Sequence, residues 1–217
     1  MNVGEPRSVG PPRGPRPDKR LAILAAARAV FAGNGYPRTS MEAIASRAGV
    51  SNKTLYNHFR DKADLFAIVI ERSATEVAEA QLAIVEDCLS EVPTDLAGAA
   101  ESLIDFSSRW TASMRDFAEH QALVEALRFE VGRAPAGAVE RWQLSGPARV
   151  RTAVAEVFAR WTEHGLLCDV DPDLAAVQFA RLIAPVDPLN PLKPADGEQA
   201  EILVESGVRV FLRGYGR

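Results

Sequence analysis

The chain has 217 residues, 47% hydrophobic and 25% charged, with 25 Lys+Arg against 29 Asp+Glu and a formal net charge of −4. That length holds one good core, or a small module joined to a larger one, and the composition is that of a soluble globular protein. No apolar run approaches the ~20 residues that span a bilayer, and the N-terminus lacks the apolar stretch of a secretory signal, so a cytoplasmic protein with no membrane contact is expected. Cys88 and Cys168 stand far apart with no CxxC spacing and no clustered His, which predicts reduced thiols without a disulfide or metal role.

Residues 1–17 hold Pro6, Pro11, Pro12, Pro15 and Pro17 with Gly4, Gly10 and Gly14 and almost nothing apolar, the composition of a flexible basic arm. Its Arg7, Arg13 and Arg16, followed by Lys19 and Arg20, can reach phosphates or a minor groove; a solvated tail without a role is the other reading. Asp18 then caps a helix to about Gly33, with Ile23, Ala27, Val30 and Phe31 on one face. Thr39-Ser40-Met41-Glu42 has the S/T-x-x-E form of a capping box, so a second helix is expected just after Thr39. Ile44, Ala45 and Ala48 form its apolar face, Gly49 suits a left-handed terminus, and Ser51 is an N-cap for a third helix. On that helix Leu55 and Phe59 face inward, whereas Lys53, Tyr56, Asn57 and Arg60 share another face. Two short helices joined by a glycine turn, the second rich in outward donors, make a helix-turn-helix whose second helix can enter a DNA major groove.

The charge distribution agrees. Residues 1–65 carry 11 Lys+Arg against 5 Asp+Glu, a net +6, which leaves −10 on the remainder. A basic head on an acidic body directs one end of the molecule at polyanions.

These residues also resemble a known family, the TetR/AcrR-type bacterial transcriptional regulators. The resemblance is carried by Ile44-Ala45, Ala48-Gly49-Val50-Ser51, Thr54-Leu55-Tyr56, Phe59, Lys62 and Leu65. Upstream, Ile23 to Ala27 through Phe31, then Gly35-Tyr36 and Thr39-Ser40, fit the family's first helix and its exit. It runs from about Pro17 to about Val77. It implies a DNA-binding surface at Thr39, Ser40, Asn52, Lys53, Thr54, Tyr56, Asn57, His58 and Lys62, the same residues that helical geometry turns outward. Thr39 and Ser40 at the entry of the second helix are expected to face a phosphate, as are Tyr56, His58 and Lys62. Asn52, Lys53 and Asn57 are best placed for base edges. The family often has a small residue where this chain has Lys53.

Beyond the head, which is assigned to residues 18–64, Asp61 caps a long helix to about Ser90. Pro93-Thr94-Asp95 restarts a helix to about Met114, and another runs from about Phe117 to Val131 before a break at Gly132 to Pro135. A short helix over Val139–Leu144 follows, and Gly146-Pro147 opens one to about His164, ended by Gly165. Asp171-Pro172 opens a helix to about Pro185, residues 185–197 read as a loop, and a last helix runs to about Leu212. No period-2 run appears, so the predicted class is all-α: a three-helix helix-turn-helix domain and a helical ligand-binding and dimerisation domain over residues 65–217.

Catalysis finds no support. His58, His120 and His164 are scattered, and there is no Gly-x-Ser-x-Gly, no phosphate-cradling loop and no cluster with ligand spacing, so no enzyme, cofactor or metal is expected. The stretch from Glu125 through Arg133, with Trp142 and the Trp161–Asp171 segment, resembles the C-terminal domain of AefR-like members. Family resemblance implies a small ligand inside the body and dimerisation through the last two helices. For the ligand, Phe106, Trp110, Phe117, His120, Val124 and Trp142 are candidates, with Arg128 and Glu125 as polar anchors. For the homodimer the candidates are Phe179, Leu182, Leu203, Gly207, Val210 and Phe211, the two last helices presenting apolar stripes at helical spacing. The ligand set can equally be packed core; for the two stripes the other reading is that both face their own core, and the need of a DNA module for two half-sites favours dimerisation. The leading expectation is a nucleoid-associated, ligand-responsive regulator, most simply a repressor released from a pseudo-palindromic operator by an apolar or aromatic small molecule. The alternative is a constitutive or architectural DNA-binding protein without an inducer.

Overall fold

The structure, a computed structural model, describes residues 19–129, 135–184, 195 and 197–217. The arm at 1–17, the cap Asp18, most of the break at 132–135 and nearly all of the loop at 185–197 lie outside the described residues.

Among the described residues the architecture is helical throughout. In order the helices are α1 (Lys19–Arg38), α2 (Met41–Arg47), α3 (Asn52–His58), α4 (Lys62–Leu89), α5 (Leu96–Asp116), α6 (Ala118–Phe129), α7 (Ala138–Ser145), α8 (Pro147–Glu163), α9 (Pro172–Leu182) and α10 (Gly197–Tyr215). The starts of α4, α5 and α9 follow from aspartate caps. Asp61, Asp95 and Asp171 each accept a hydrogen bond from the backbone three residues on, at Asp64 (2.8 Å), Gly98 (2.8 Å) and Leu174 (3.2 Å). Each satisfies one of the orphan N–H groups of a first turn. The only pairing of extended backbone among the described residues is one antiparallel bridge, Leu167 with Gly216.

α1 carries a kink close to the end that its sequence pattern predicts. The helical path breaks at Gly35, whose φ of 73° is left-handed, and resumes for one turn to Arg38. The α1 face of Ile23, Ala27, Val30 and Phe31 is buried as expected.

Two hydrophobic clusters divide the molecule. One gathers Ile23, Phe31, Ile44, Leu55, Phe59, Leu65, Phe66 and Ile70, and it also takes in Leu123 and Leu127 of α6 and Ala138 of α7. The core of the head therefore continues into α6 and α7. The other cluster lies around Phe106, Phe158, Trp161, Phe179 and Phe211 of α5, α8, α9 and α10. Its rings meet in sequence: Phe106 to Phe179 at 6.2 Å, Phe179 to Phe158 at 5.5 Å, Phe158 to Phe211 at 5.0 Å. α4 contributes Leu65 to one cluster and Leu89 to the other. Its 28 residues span about 42 Å, and among the described residues it is the one helix that reaches through both.

Candidate nucleic-acid interface

The head presents its polar side chains from α2, α3 and the turn between them. α2 ends where Gly49 takes φ 65°, a conformation that costs an L side chain about 1 kcal/mol or more. Val50 N–H then bonds back to the Ala45 carbonyl at 3.0 Å. Ser51 starts α3, its Oγ accepting from Thr54 N–H at 3.1 Å. Leu55 and Phe59 are buried at 0% and 1% exposure, which fixes the rotation of α3 about its own axis. That rotation leaves Asn52, Lys53, Tyr56, Asn57 and His58 exposed. Among the described residues none of these five side chains makes a hydrogen bond or an ion pair, so nothing in the fold competes for their donors.

The other four expected contact residues are committed internally to different degrees. The capping register is one residue later than the sequence pattern suggests: Ser40, not Thr39, is the N-cap of α2, accepting from Ala43 N–H at 3.1 Å. Glu42 consequently sits one place too early to close a capping box, and is simply exposed. Thr39 is 3% exposed, and its hydroxyl donates to the Gly35 carbonyl at 2.8 Å. An outward hydroxyl at Thr39 is thus corrected: it braces the α1–α2 corner. Thr54 is half-buried, its hydroxyl 3.0 Å from Ser51 Oγ. Lys62 also turns inward. Its Nζ donates to the carbonyls of Tyr36 (3.0 Å), Pro37 (3.3 Å) and Thr39 (2.9 Å) and lies 4.5 Å from the Tyr36 ring centroid. In this structure the ammonium therefore faces those carbonyls.

Two cations absent from the sequence expectation stand on the same head. Arg47 in the last turn of α2 and Arg38 at the end of α1 are both exposed. Their charge, at the ends of α1 and α2, is the signal in the sequence that marks them.

In the body the predicted ligand residues do not converge. Phe106 is 2% exposed and stacked into the far cluster, with Trp110 at 5.3 Å beside it. Phe117 closes α5 as its C-cap, and Arg128 is exposed. Val124 and Trp142 instead pack on the head-side cluster. The expectation of one shared pocket is corrected to two separate groups, because helix spacing orients residues about an axis without bringing different helices together. A surface cleft of about 450 Å³ does lie between α5 and α10, floored by Leu96, Ile104, Val208 and Leu212, and it contains none of the predicted residues. Trp142 and Trp161 each hold a buried indole N–H with no acceptor among the described residues.

His120 is buried at 6% exposure, its Nδ1 3.0 Å from Ser73 Oγ of α4. Burial, reinforced by the nearby Arg28 cation and opposed by Glu76, pushes its pKa down to about 4, so it is a neutral structural group near pH 7. Arg28 itself reaches Glu76 of α4 at 2.7 Å and Glu119 of α6 at 2.9 Å, joining α1 to both. Cys88 is no reactive thiolate: burial and the hydrogen bond its thiol donates to Asp105 raise its pKa to about 11.

The dimer candidates also divide. Phe179 (1%) and Phe211 (0%) belong to their own protomer's core. A Cβ on Gly207 would run into the Leu182 carbonyl, so that glycine serves close packing of α10 on α9 inside one chain. Phe179, Gly207 and Phe211 are therefore corrected to core, with Leu182 half-buried beside them. Leu203 (36%) and Val210 (52%) remain exposed, as do Ile202 (59%) on α10 and Leu174 (52%) on α9.

Residues 23–69 match the family model for bacterial regulatory proteins of the tetR family, and residues 108–217 match that for the AefR-like transcriptional repressor C-terminal domain. In sequence the chain is 42% identical over 73 residues to the HTH-type transcriptional activator FasR of Mycolicibacterium smegmatis, a match covering 32% of this chain and 33% of that one. It is 38% identical over 65 residues to the HTH-type transcriptional regulator AcrR of Shigella flexneri, covering 30% of each. The match thus spans about a third of the length of these curated relatives. In structure it is similar to a putative TetR-family regulator from Mesorhizobium loti, with a TM-score of 0.77 at 27% identity over 92% of this chain and 97% of that one. It is also similar to the Flavonoid-responsive Regulator FrrA, with a TM-score of 0.69 at 28% identity over 91% and 97%.

Proposed function

Because the chain belongs to the TetR family of bacterial regulatory proteins, whose members regulate transcription by binding DNA, we propose that it is a homodimeric repressor released from a pseudo-palindromic operator by a small apolar or aromatic molecule. The observation that carries the DNA-binding surface is the outward face of α3. Asn52, Lys53, Tyr56, Asn57 and His58 are exposed and unused by the fold, while Leu55 and Phe59 hold the helix rigidly behind them. Amides and an ammonium suit base edges, and Tyr56 and His58 suit phosphates. Ser40 stands at the positive end of α2 beside them, and Arg38 and Arg47 supply further cations.

The dimer surface is the outer face of α9 and α10, where Leu174, Ile202, Leu203 and Val210 leave apolar area in water. An isologous four-helix contact would bury that area and place two recognition helices on half-sites ~34–36 Å apart or a multiple of it. Val210→Arg would bury an unpaired charge there, and the expected outcome in sedimentation is a folded monomer with little operator affinity. A variant that stays dimeric at low concentration would move the interface elsewhere.

For the effector, the support is the buried Trp142 N–H without an acceptor among the described residues, on a residue that packs, as Val124 does, against the cluster that the head uses. A ligand acceptor there would satisfy the donor and load the packing between head and body. FrrA is flavonoid-responsive by name, which makes planar aromatic compounds a reasonable first screen. The test is recovery of genomic DNA bound to the purified protein, then a thermal-shift screen and DNA-release assays on each hit. Hits that stabilise the protein yet leave DNA affinity unchanged would replace the inducible repressor with a constitutive binder.

A further inference from the structure

We propose that Lys62 is a positioning residue for operator recognition, whose ammonium locks the base of α4 onto the α1–α2 corner instead of binding a phosphate. The inference rests on the DNA-binding reading above. An ammonium has three N–H donors, and here three carbonyls converge on it at 2.9–3.3 Å: Thr39, Tyr36 and Pro37. The Tyr36 ring closes a fourth side at 4.5 Å. That ring is itself held by Phe31 at 6.1 Å and Phe66 at 5.1 Å, so the wall of the cup belongs to α1 and α4 together. Reaching for a phosphate would require the ammonium to abandon three carbonyls around the exit of α1.

The consequence falls on recognition because of where those carbonyls lie. Thr39 directly precedes Ser40, the N-cap of α2, and its hydroxyl already ties the corner to the Gly35 carbonyl. Lys62 is the first residue of α4. One side chain therefore connects the start of the long helix to the start of α2, and α3 follows α2 through a turn of Gly49, Val50 and Ser51. The geometry sets where the recognition face stands relative to the body.

The experiment uses the full chain with Lys62→Met and Lys62→Arg, and the operator fragment recovered from genomic DNA, across a range of salt concentrations. Arg47→Ala serves as reference: its guanidinium is exposed, and losing one phosphate contact per protomer would shallow the log–log salt slope by about 1.8 per dimer. Lys62→Met is expected to weaken operator binding about tenfold at every salt concentration, with the slope unchanged. Lys62→Arg is expected to weaken it too, since a planar guanidinium cannot direct its donors at three converging carbonyls. Hydrogen exchange in the free protein supplies a readout independent of DNA, with faster exchange expected at the amides of residues 40–45 in both variants. Wild-type affinity in Lys62→Arg together with a shallower slope in Lys62→Met would overturn the proposal in favour of a phosphate contact, and unchanged affinity in both would overturn it outright. If the wild-type chain binds no genomic fragment, the DNA-binding reading fails by itself, while unchanged exchange at residues 40–45 would separately sink the tie. Should Lys62→Met not fold, Lys62→Arg decides by the same criteria.

Discussion

The head and the body treat their conspicuous residues in opposite ways. On α3 the polar residues that stand out in the sequence are the ones left over by the fold: Leu55 and Phe59 do the packing, and Asn52, Lys53, Tyr56 and Asn57 are free to do something else. In the body the residues that stand out are aromatic, and the fold consumes them. Phe106, Phe158, Phe179 and Phe211 meet ring to ring across four helices. Polar residues on a short helix are cheap for the fold to leave exposed, whereas a ring carries too much apolar area to leave in water when a core lies beside it. An outward side chain in the head is therefore informative about function, and an aromatic stripe in the body is informative first about packing.

This contrast breaks most readily at Phe179. Phe179→Ala is expected to cost about 3–5 kcal/mol of stability, read by chemical denaturation, because it empties a ring site shared by Phe106, Phe158 and Phe211. Operator affinity per folded dimer should be unchanged. A stable protein that had become monomeric would instead put Phe179 in an interface.

His120 sharpens the contrast on the boundary between the two regions. Its folded pKa, about 4, lies below the ordinary value of 6.5, so between those pH values the unfolded chain takes up a proton that the native state refuses. Above pH 6.5 the group contributes nothing to the pH dependence. As pH falls from 6.5 toward 4 it removes stability, up to about 3 kcal/mol in all. His120→Gln should flatten that part of the stability profile, and a wild-type profile already flat between pH 6.5 and 5 would show that the ring is not sequestered.

The mirror image of the Phe179 experiment lies in the head. Asn57→Ala should change stability by less than about 0.5 kcal/mol, since the side chain is exposed and makes no hydrogen bond among the described residues, yet cost about 1–3 kcal/mol of discrimination at one operator base pair. Binding measured against a panel of single-base operator variants checks it. A uniform loss across the panel would make Asn57 a backbone contact.

What could be read from the sequence follows the range of the interaction concerned. Asp61, Asp95, Asp171 and Ser51 cap their helices as their spacing predicts, and Gly49 is left-handed where the turn requires it. All of these are decided within three residues. The misassigned cap shows the resolution of such arguments: Thr39 and Ser40 are both good N-caps, and only the tertiary placement of Thr39 against Gly35 chooses between them. Lys62 shows the same limit at longer range, for its partners lie 23 to 26 residues upstream and are backbone atoms, which leave no trace in side-chain patterns. On α9 and α10 the difficulty is different. Both faces of α10 carry apolar residues, so helical spacing could not separate Phe211 and Gly207, which face their own chain, from Leu203 and Val210, which face out.

The placement of the indoles gives the molecule a built-in optical reporter. All three tryptophans, Trp110, Trp142 and Trp161, lie outside helices α1 to α3. Trp161 is fully shielded in the far cluster, and Trp142 sits on the cluster that α1 and α4 share. DNA lying on α2 and α3 touches none of them. A shift in tryptophan emission on adding operator must therefore have travelled through the packed interior, and single Trp→Phe variants would tell whether it arrives at the near cluster or crosses to the far one.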